Sequence, residues 1–254
     1  MPRAERRALR VLISAGPTRE PIDPVRFLSN YSTGTMGACL AAEALRRGHR
    51  VTMVNGPTTA PMPARAMVID VERARDMQAA LRREMARADA LIMAAAVCDF
   101  EPATRRASKL ARHGRMTLVL RATPDVVGGL PRRPGQVIVG FALETSQDLA
   151  RVRAKLKSKQ LDLIVGQMVS AKRQPFGARP LTACLLERTG AVQRLVDVSK
   201  PQLARAILDK VEGLWYGGLP ARRASVASSR RPDVPRVSSK AHNHRMTPSR
   251  LTTA

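Results

Sequence analysis

The stretch VLISAGPTREPIDPVRFLSNYSTGTMG, from Val11 to Gly37, decides the fold. It opens with an apolar run that is typical of a buried strand and that ends at Gly16 and Pro17. Three prolines between positions 17 and 24 exclude a helix from the loop that follows. Apolar residues at helical spacing resume only at Met36 and Leu40. The stretch therefore predicts a strand, a long loop and a helix, in that order.

The junction between this loop and the helix is a candidate anion site. The first N–H groups of a helix lack intrahelical partners, and the helix dipole is positive there. Gly34 and Gly37 would let a phosphate approach the backbone, although the Gly-x-x-Gly spacing alone supports a plain turn equally well. An NAD-dependent oxidoreductase is disfavoured, because the next predicted strand, Val51–Asn55, offers no carboxylate to a ribose.

Strands and helices alternate along the chain after this helix. The alternation predicts a Rossmann-like, doubly wound α/β fold with a mostly parallel sheet. Two last strands joined by a Thr-Gly turn predict a C-terminal β-hairpin extension, and a helix over Leu203–Val211 completes a predicted domain of residues 1–213. The predicted strands after the first are Val51–Val54, Ala66–Asp70, Ala90–Ala95, Met116–Leu120, Val137–Phe141, Leu161–Val165, Thr182–Glu187 and Val192–Val198.

Small side chains follow the first and fourth predicted strands. These strands end in Ser14-Ala15-Gly16 and Ala94-Ala95-Ala96. In doubly wound sheets, ligands bind beyond the carboxyl ends of the strands, where small residues leave room. The alternative is that the alanines only allow close helix packing. We favour a ligand site, because Asp99 and Lys109 follow in a segment without apolar periodicity.

The chain is strongly basic, with 44 Lys and Arg against 20 Asp and Glu and a formal charge of +24. This balance favours anionic partners, although most of the arginines are interpreted as solvated surface residues. Residues 214–254 hold eight cations and one acid, Asp233, among Pro, Ser and Gly. We interpret them as a basic, disordered tail. A nucleic-acid arm is disfavoured, because no aromatic residues are interleaved with these charges.

The cysteines and the N-terminal residues indicate a cytoplasmic protein with no membrane segment. Three isolated cysteines fit neither a disulfide framework nor a zinc site and are predicted to be reduced. Residues 1–9 lack the hydrophobic core of a secretory signal, and no apolar run reaches transmembrane length. The chain has four histidines, and all are predicted to lie at the surface: His49, His113, His242 and His244.

Two motifs in the opening stretch resemble those of the phosphopantothenate–cysteine ligases (phosphopantothenoylcysteine synthetases). This family forms the second half of a bifunctional coenzyme A biosynthesis protein in many bacteria. Its Ala-Gly-Pro-Thr-x-Glu-x-Ile-Asp-x-Val-Arg loop matches Ala15–Arg26, and its Ser-Asn-x-Ser-x-Gly-x-Met-Gly motif matches Ser29–Gly37. Later matches are Ala94–Phe100, Thr123–Val126 and Gly140–Thr145. The resemblance covers about Arg10 to Val211 and implies a homodimer.

The resemblance implies a reaction through an acyl-nucleotide. In the family, 4′-phosphopantothenate attacks the α-phosphate of CTP to give an acyl-cytidylate, and L-cysteine then displaces CMP, with Mg²⁺ as cofactor. It implies two catalytic residues: Asn30 holds the acyl-nucleotide and is needed for its turnover, and Lys109 belongs to a lid. The implied nucleotide-binding residues are Met93, Ala94, Ala95, Asp99, Lys109, Thr123, Pro124, Asp125, Val126, Phe141, Lys155 and Lys159, and those of the phosphate and substrate loop are Gly16, Thr18, Ser32, Gly34 and Gly37. Neither the metal ligands nor the choice of CTP over ATP follows from the sequence.

Two segments depart from the family pattern. Gly166-Gln167-Met168 replaces Ala-Asn-Asp, and Ala178–Leu181 replaces a segment with acidic and amide residues. These changes affect the predicted sheet extension that closes the site and helps to form the dimer. They leave open the alternative of a weakened or non-catalytic family member. The basic composition leaves open a second alternative, a basic nucleic-acid-binding protein on a Rossmann-like scaffold.

Overall fold

The protein is described from a computed structural model that covers residues 7–112, 114–144, 149–169, 176–177 and 179–217. The strands are β1 (Arg10–Ala15), β2 (Arg19–Pro21), β3 (Phe27–Ser29), β4 (Arg50–Asn55), β5 (Met67–Asp70), β6 (Ala90–Met93), β7 (Phe100–Pro102), β8 (Leu120–Ala122), β9 (Val137–Glu144), β10 (Leu163–Met168), β11 (Leu181–Glu187) and β12 (Val192–Val198). The helices are α1 (Thr35–Arg46), α2 (Ala74–Met85), α3 (Ala150–Ser158) and α4 (Lys200–Gly217).

Eight strands form one twisted layer in the order β12-β11-β10-β9-β6-β1-β4-β5. Strands β10, β9, β6, β1, β4 and β5 are parallel, and β11 and β12 add an antiparallel hairpin at one edge. The chain moves outward on one side of β1 through β4 and β5, and then on the other side through β6, β9 and β10. The predicted doubly wound fold and its hairpin extension are confirmed. The switch point lies between β1 and β6, where ligands bind in such sheets.

Both faces of the sheet are covered, which explains the continuous apolar run Val11–Ile13 in β1. Val11, Ile13 and Ala15 face a core shared with α1 and α4. Leu12 faces a second core shared with α2 and α3. Side chains alternate between the faces of a strand, so a strand buried on both faces shows no polar alternation. Helix α1 packs on the same end of β1 from which the opening loop departs.

Two local predictions were wrong in detail. The opening loop contains a short ribbon in which β2 pairs with β3, and Pro21 lies at its end, where an edge strand tolerates proline. The strand predicted at Met116–Leu120 is instead β8, which pairs with β7 through Phe100 and Ala122. Pairing with a distant segment, and not local apolar content, sets the bounds of such three-residue strands.

The last helix continues beyond the predicted end of its periodic pattern. Val211 and Trp215 are four residues apart and are both buried against α1, and the helix ends only at Gly217. The predicted boundary at 213 therefore falls inside α4, and the rest of the predicted tail lies outside the described residues. None of the described helices is both long and apolar enough to cross a bilayer.

His49 is buried, which contradicts its predicted surface position. The ring follows α1 and accepts a hydrogen bond at Nδ1 from the N–H of Leu9, at 3.3 Å. Its Nε2 lies 3.0 Å from Oε1 of Glu212 on α4. A buried polar group keeps its hydrogen bonds by finding such partners. The other three histidines lie outside the described residues, and the three cysteines are free thiols.

Candidate functional site

The loops that follow β1 and β6 are joined at the switch point. The N–H of Ala96 donates to the carbonyl of Gly16 at 2.9 Å, and Pro17 and Ala96 form an isolated parallel bridge. The hydroxyl of Thr18 accepts from the N–H of Cys98 at 2.9 Å and is fully buried. Thr18 therefore joins the two loops, and its place in the phosphate and substrate loop stays a prediction.

Asn30 lies against the loop after β6. Its Nδ2 donates to the carbonyls of Ala96 and Val97, at 3.1 Å and 3.0 Å. The residue is otherwise exposed, and Oδ1 has no hydrogen-bond partner among the described residues. The amide thus offers an acceptor oxygen to a ligand while its two donors fix the side chain.

Helix α1 begins beside these loops without a side-chain cap. Gly34 precedes the helix with φ 78, and no acidic residue lies in the first turn. A Cβ added to Gly37 would lie 2.4 Å from Cβ of Ala15, so only glycine lets α1 approach the end of β1 this closely. Ser32 accepts a long hydrogen bond, 3.4 Å, from the N–H of Gly34. Uncapped N–H groups and a positive dipole make this helix start suited to a phosphate.

The loop after β6 also contacts the segment that follows β8. The N–H of Thr123 donates to the carbonyl of Asp99 at 3.0 Å, and its hydroxyl donates to the carbonyl of Cys98 at 2.7 Å. Residues after Thr123 then bring Asp125 to the surface between α2 and α3, where Nε2 of Gln78 donates to the Asp125 carbonyl at 2.9 Å. The loop after β6 therefore connects the Asn30 region to the Asp125 region.

Lys155 of α3 and Lys159, the residue that follows the end of α3 at Ser158, both reach this region, although Lys159 was predicted to lie within the helix. Nζ of Lys155 donates to the carbonyl of Phe141 at 2.9 Å, and Nζ of Lys159 forms an ion pair with Oδ2 of Asp125. Desolvation by surrounding protein and the charge of Lys159 lower the pKa of Lys155, while the carboxylates of Asp99, Glu144 and Asp125 oppose that shift. Lys155 thus experiences the charges of Asp99 and Asp125 together.

Two of the predicted residues contribute no side chain to this region, and three others are only partly exposed. Met93 and Val126 are buried in the core beneath α2 and α3, so only their backbone is available. Ala94 and Ala95 are partly exposed, and the N–H of Ala95 donates to the hydroxyl of Ser14 at 3.2 Å. Pro124 is also partly exposed. Within the described ranges, no group of three or more His, Cys, Asp or Glu side chains is arranged to hold a metal ion.

Lys109 is exposed, and the described part of the chain shows no hydrogen bond or ion pair between it and the other predicted site residues. Its neighbour Leu110 is held on both sides: its N–H donates to Oδ2 of Asp23 at 3.1 Å, and its carbonyl accepts from Nη2 of Arg26 at 2.6 Å. The N–H of Arg106 also donates to the carbonyl of Ile22 at 2.9 Å. The Asp23–Arg26 turn therefore anchors the Lys109 segment, a role that the sequence analysis missed although it quoted both residues within the opening motif.

Asp23 supplies a prediction on acid stability. Burial raises the pKa of this carboxyl, but hydrogen bonds from Val25, Leu110 and Arg26 outweigh it and lower the pKa to about 2. A group with a depressed folded-state pKa stabilises above its unfolded pKa of about 3.9, and this contribution is lost as the pH falls through the folded value. We expect Asp23→Asn to lower the urea midpoint at neutral pH, with a difference from wild type that shrinks between about pH 4 and about pH 2.

Urea unfolding across this pH range tests the expectation. Asp197→Asn is the matched control, because Asp197 is exposed on β12 and has no hydrogen-bond partner among the described residues. A midpoint difference for Asp23→Asn that stayed constant with pH would contradict the proposed role of the ionised carboxylate.

The hairpin extension of the sheet forms although its sequence departs from the family pattern. Gln167 is buried in β10, where it lies beside Leu143 of β9 and opposite Ala183 of β11. Strands β11 and β12 complete that edge. The predicted hairpin extension is therefore formed within the described residues, while Ala178 and residues 170–175 lie outside them.

Comparison with curated proteins identifies the relatives of the chain. It is 39% identical over 206 residues to a cysteine/cysteine sulfinic acid decarboxylase from an unknown prokaryotic organism, a match that covers 80% of this chain and 57% of the relative. It is 40% identical over 207 residues to the coenzyme A biosynthesis bifunctional protein CoaBC of Bacillus subtilis (strain 168), covering 80% of this chain and 51% of the relative. The chain thus spans about half the length of the curated relatives it matches.

Solved structures and the family match lead to the same group. The C-terminal domain of the coenzyme A biosynthesis bifunctional protein CoaBC superposes with a TM-score of 0.68 at 32% identity, covering 80% of this chain and 94% of that domain. Residues 7–214 match the family described as DNA/pantothenate metabolism flavoprotein C-terminal domain. These matches confirm the resemblance drawn from the motifs. The chain belongs to this family of DNA/pantothenate metabolism flavoprotein C-terminal domains.

Proposed function

We propose that this chain is a phosphopantothenate–cysteine ligase of coenzyme A biosynthesis, which joins 4′-phosphopantothenate to L-cysteine through an acyl-cytidylate. The observation that carries the proposal is the chain of contacts from Asn30 through the loop after β6 to Asp99, Asp125, Lys155 and Lys159. These contacts support a common site for the predicted residues beyond the carboxyl ends of the parallel strands. The names of the CoaBC relatives support the assignment to coenzyme A biosynthesis.

The chemistry requires anion binding more than a side-chain nucleophile. A carboxylate does not react with an amine until its oxygen is converted into a good leaving group, which attack on the α-phosphate of CTP achieves. The site must hold two anions together and stabilise the charge that develops on phosphate. The uncapped start of α1 and the amines of Lys155 and Lys159 suit this task.

The described carboxylates are compatible with Mg²⁺ held largely by a nucleotide. Mg²⁺ is usually bound by one or two carboxylates together with substrate phosphates, so a cluster of three protein ligands is not required. Asp99 is exposed and has no side-chain hydrogen bond among the described residues, and Asp125 lies beside the same lysines. Asp99 would hold the ion, because Asp125 is already paired with Lys159, and the bound ion would neutralise charge on the triphosphate.

We also propose that the protein is a cytoplasmic homodimer. Exposed apolar side chains on β7, β8 and the preceding segment support a partner surface: Phe100 is 54% exposed, Val119 70% and Leu120 43%. Large exposed apolar side chains that lie close together commonly mark an interface. The free thiols support a reducing compartment.

A turnover assay tests the proposed function. We expect CMP and pyrophosphate to be released in equal amounts when the protein is mixed with CTP, 4′-phosphopantothenate, L-cysteine and Mg²⁺, and we expect no CMP when 4′-phosphopantothenate is omitted. Parallel reactions with ATP determine the nucleotide preference. CTP binding without turnover would contradict the ligase proposal and favour a non-catalytic family member.

A further inference from the structure

A cavity of about 890 Å³ lies at the amino ends of β9 and β10, whereas the candidate site lies beyond the carboxyl ends of the parallel strands. A volume of this size is within the range of small-molecule sites, roughly 300–1,000 Å³. Its lining carries four cations and one carboxylate, and these residues are Arg132, Arg133, Lys157, Arg188 and Asp162. The cavity is therefore strongly positive, although none of these residues belongs to a motif that the sequence analysis singled out.

The guanidinium groups of this lining are held in fixed positions. Arg132 donates to the carbonyls of Lys159 and Gln160 at 2.6 Å and 2.7 Å. Arg188 donates to the carbonyl of Gln160 at 2.7 Å and forms an ion pair with Asp162 at 3.1 Å. Arg133 donates to the carbonyl of Ala88 at 3.0 Å. Side chains that are already ordered lose little further entropy when a ligand binds.

These contacts do not neutralise the charge of the cavity. A carbonyl carries only a partial negative charge, and Asp162 is the single carboxylate among the lining residues. Each guanidinium has five N–H donors, so donors remain beyond those that hold the carbonyls. Lys157 has no hydrogen-bond or ion-pair partner within the described part of the chain. An anion with several charges would therefore contact ordered guanidinium groups and an unpaired amine within one cavity.

We propose that this cavity is a second binding site, separate from the candidate active site, for a small phosphorylated molecule that carries at least two negative charges. Phosphate oxygens fit the planar fork of arginine. The positive lining and the ordered arginines carry the assignment, which does not depend on the ligase activity.

The cavity is connected to the candidate active site through α3. Arg132 holds the carbonyl of Lys159, whose amine pairs with Asp125 at the other site. Lys157 lies in α3, between Lys155 and the end of the helix. A ligand that attracts Arg132 would weaken the hydrogen bond from Arg132 to the carbonyl of Lys159. Lys159 could then shift, and the affinity of the candidate active site for a nucleotide would change. This coupling rests on the proposed function, whereas binding in the cavity does not.

Pyrophosphate without Mg²⁺ is a suitable probe, with the acetylation rates of individual lysines as the readout. We expect pyrophosphate to slow acetylation of Lys157 through the cavity and acetylation of Lys155 through the candidate active site. Lys157→Gln is expected to weaken pyrophosphate binding in the cavity about tenfold, as the loss of one charge-assisted contact implies. Arg153→Gln is the matched control, because it removes one exposed charge from the same helix outside the cavity.

The two proposals fail in different ways. An unchanged acetylation rate of Lys157 in pyrophosphate, with Lys155 protected, would overturn the cavity site and leave the nucleotide site standing. Protection of Lys157 alone would support the cavity and count against the proposed function. If Arg153→Gln weakened pyrophosphate binding as much as Lys157→Gln, the binding would reflect diffuse surface charge and the cavity proposal would be wrong.

Discussion

Replacing Lys155 and Lys159 together by glutamine is expected to reduce kcat/KM for CTP about a thousandfold, since each hydrogen bond to a charged phosphate contributes roughly 1.5–3 kcal/mol. Lys155 lies in α3 and Lys159 directly follows it, and each contacts a different segment: Lys155 contacts the carbonyl of Phe141, and Lys159 contacts Asp125. The charge of Lys159 also lowers the pKa of Lys155, so the two amines lie near one another.

The single variants are expected to differ, because only Lys159 has a carboxylate partner. The charge of Lys159 and the N–H of Gly128 lower the pKa of Asp125 against the opposing effect of desolvation, so this carboxyl is ionised at neutral pH. Lys159→Gln would leave the negative charge of Asp125 unpaired and facing the nucleotide. We therefore expect Lys159→Gln to lower kcat/KM more than Lys155→Gln does. Adding Asp125→Asn to Lys159→Gln should restore about tenfold of the lost kcat/KM, by removing one unit of like-charge repulsion.

Steady-state kinetics with varied CTP measure these effects, and circular dichroism establishes that the variants fold. Arg151→Gln and Arg153→Gln are matched controls, since both remove exposed cations from α3 that have no ion-pair partner among the described residues. If the controls lost as much activity as the lysine variants, the general positive charge of the helix would be responsible, and the specific role of the two lysines would be wrong.

The arrangement of the sheet could be predicted from the sequence because its signals are local. The apolar run of β1, the glycines before α1 and the four-residue spacing of Lys155 and Lys159 each indicate a strand, a turn or a helix face without knowledge of the fold. Parallel strands then bring their carboxyl ends to one edge, so the first and fourth strands could be expected to share a site. The structure confirms this architecture.

The remaining features depend on pairs that are distant in sequence. Asp23 and Leu110 are 87 residues apart, and His49 and Glu212 are 163 residues apart. A polar residue is predicted at the surface unless its buried partner is known, and for His49 that partner arrives on the last helix. The ribbon of β2 and β3 escaped prediction for a similar reason. Three-residue strands show no periodicity, and Arg19 at the start of β2 is held by an N–H donated to the carbonyl of Glu72.

Asn30→Ala is expected to slow the release of CMP about a hundredfold, in the range observed for loss of one preorganised polar group in an active site. The structure indicates which half of the reaction is affected. Both hydrogens of Nδ2 are engaged by the carbonyls of Ala96 and Val97, so the group left for a ligand is the acceptor Oδ1. An acceptor suits the amine of L-cysteine, which must be oriented towards the acyl carbon with its hydrogens bound elsewhere.

The two half-reactions should therefore separate in Asn30→Ala. Formation of the acyl-cytidylate depends on the lysines and the start of α1, so a rapid burst of pyrophosphate close to one equivalent per site is expected to remain. The subsequent steady release of CMP is expected to fall and to show a raised KM for L-cysteine. Gln193→Ala, which removes an exposed amide from β12, is the control and should leave both phases unchanged. Loss of the pyrophosphate burst together with CMP release would contradict this assignment, because Asn30 would then be required to form the activated acid and not to pass it to cysteine.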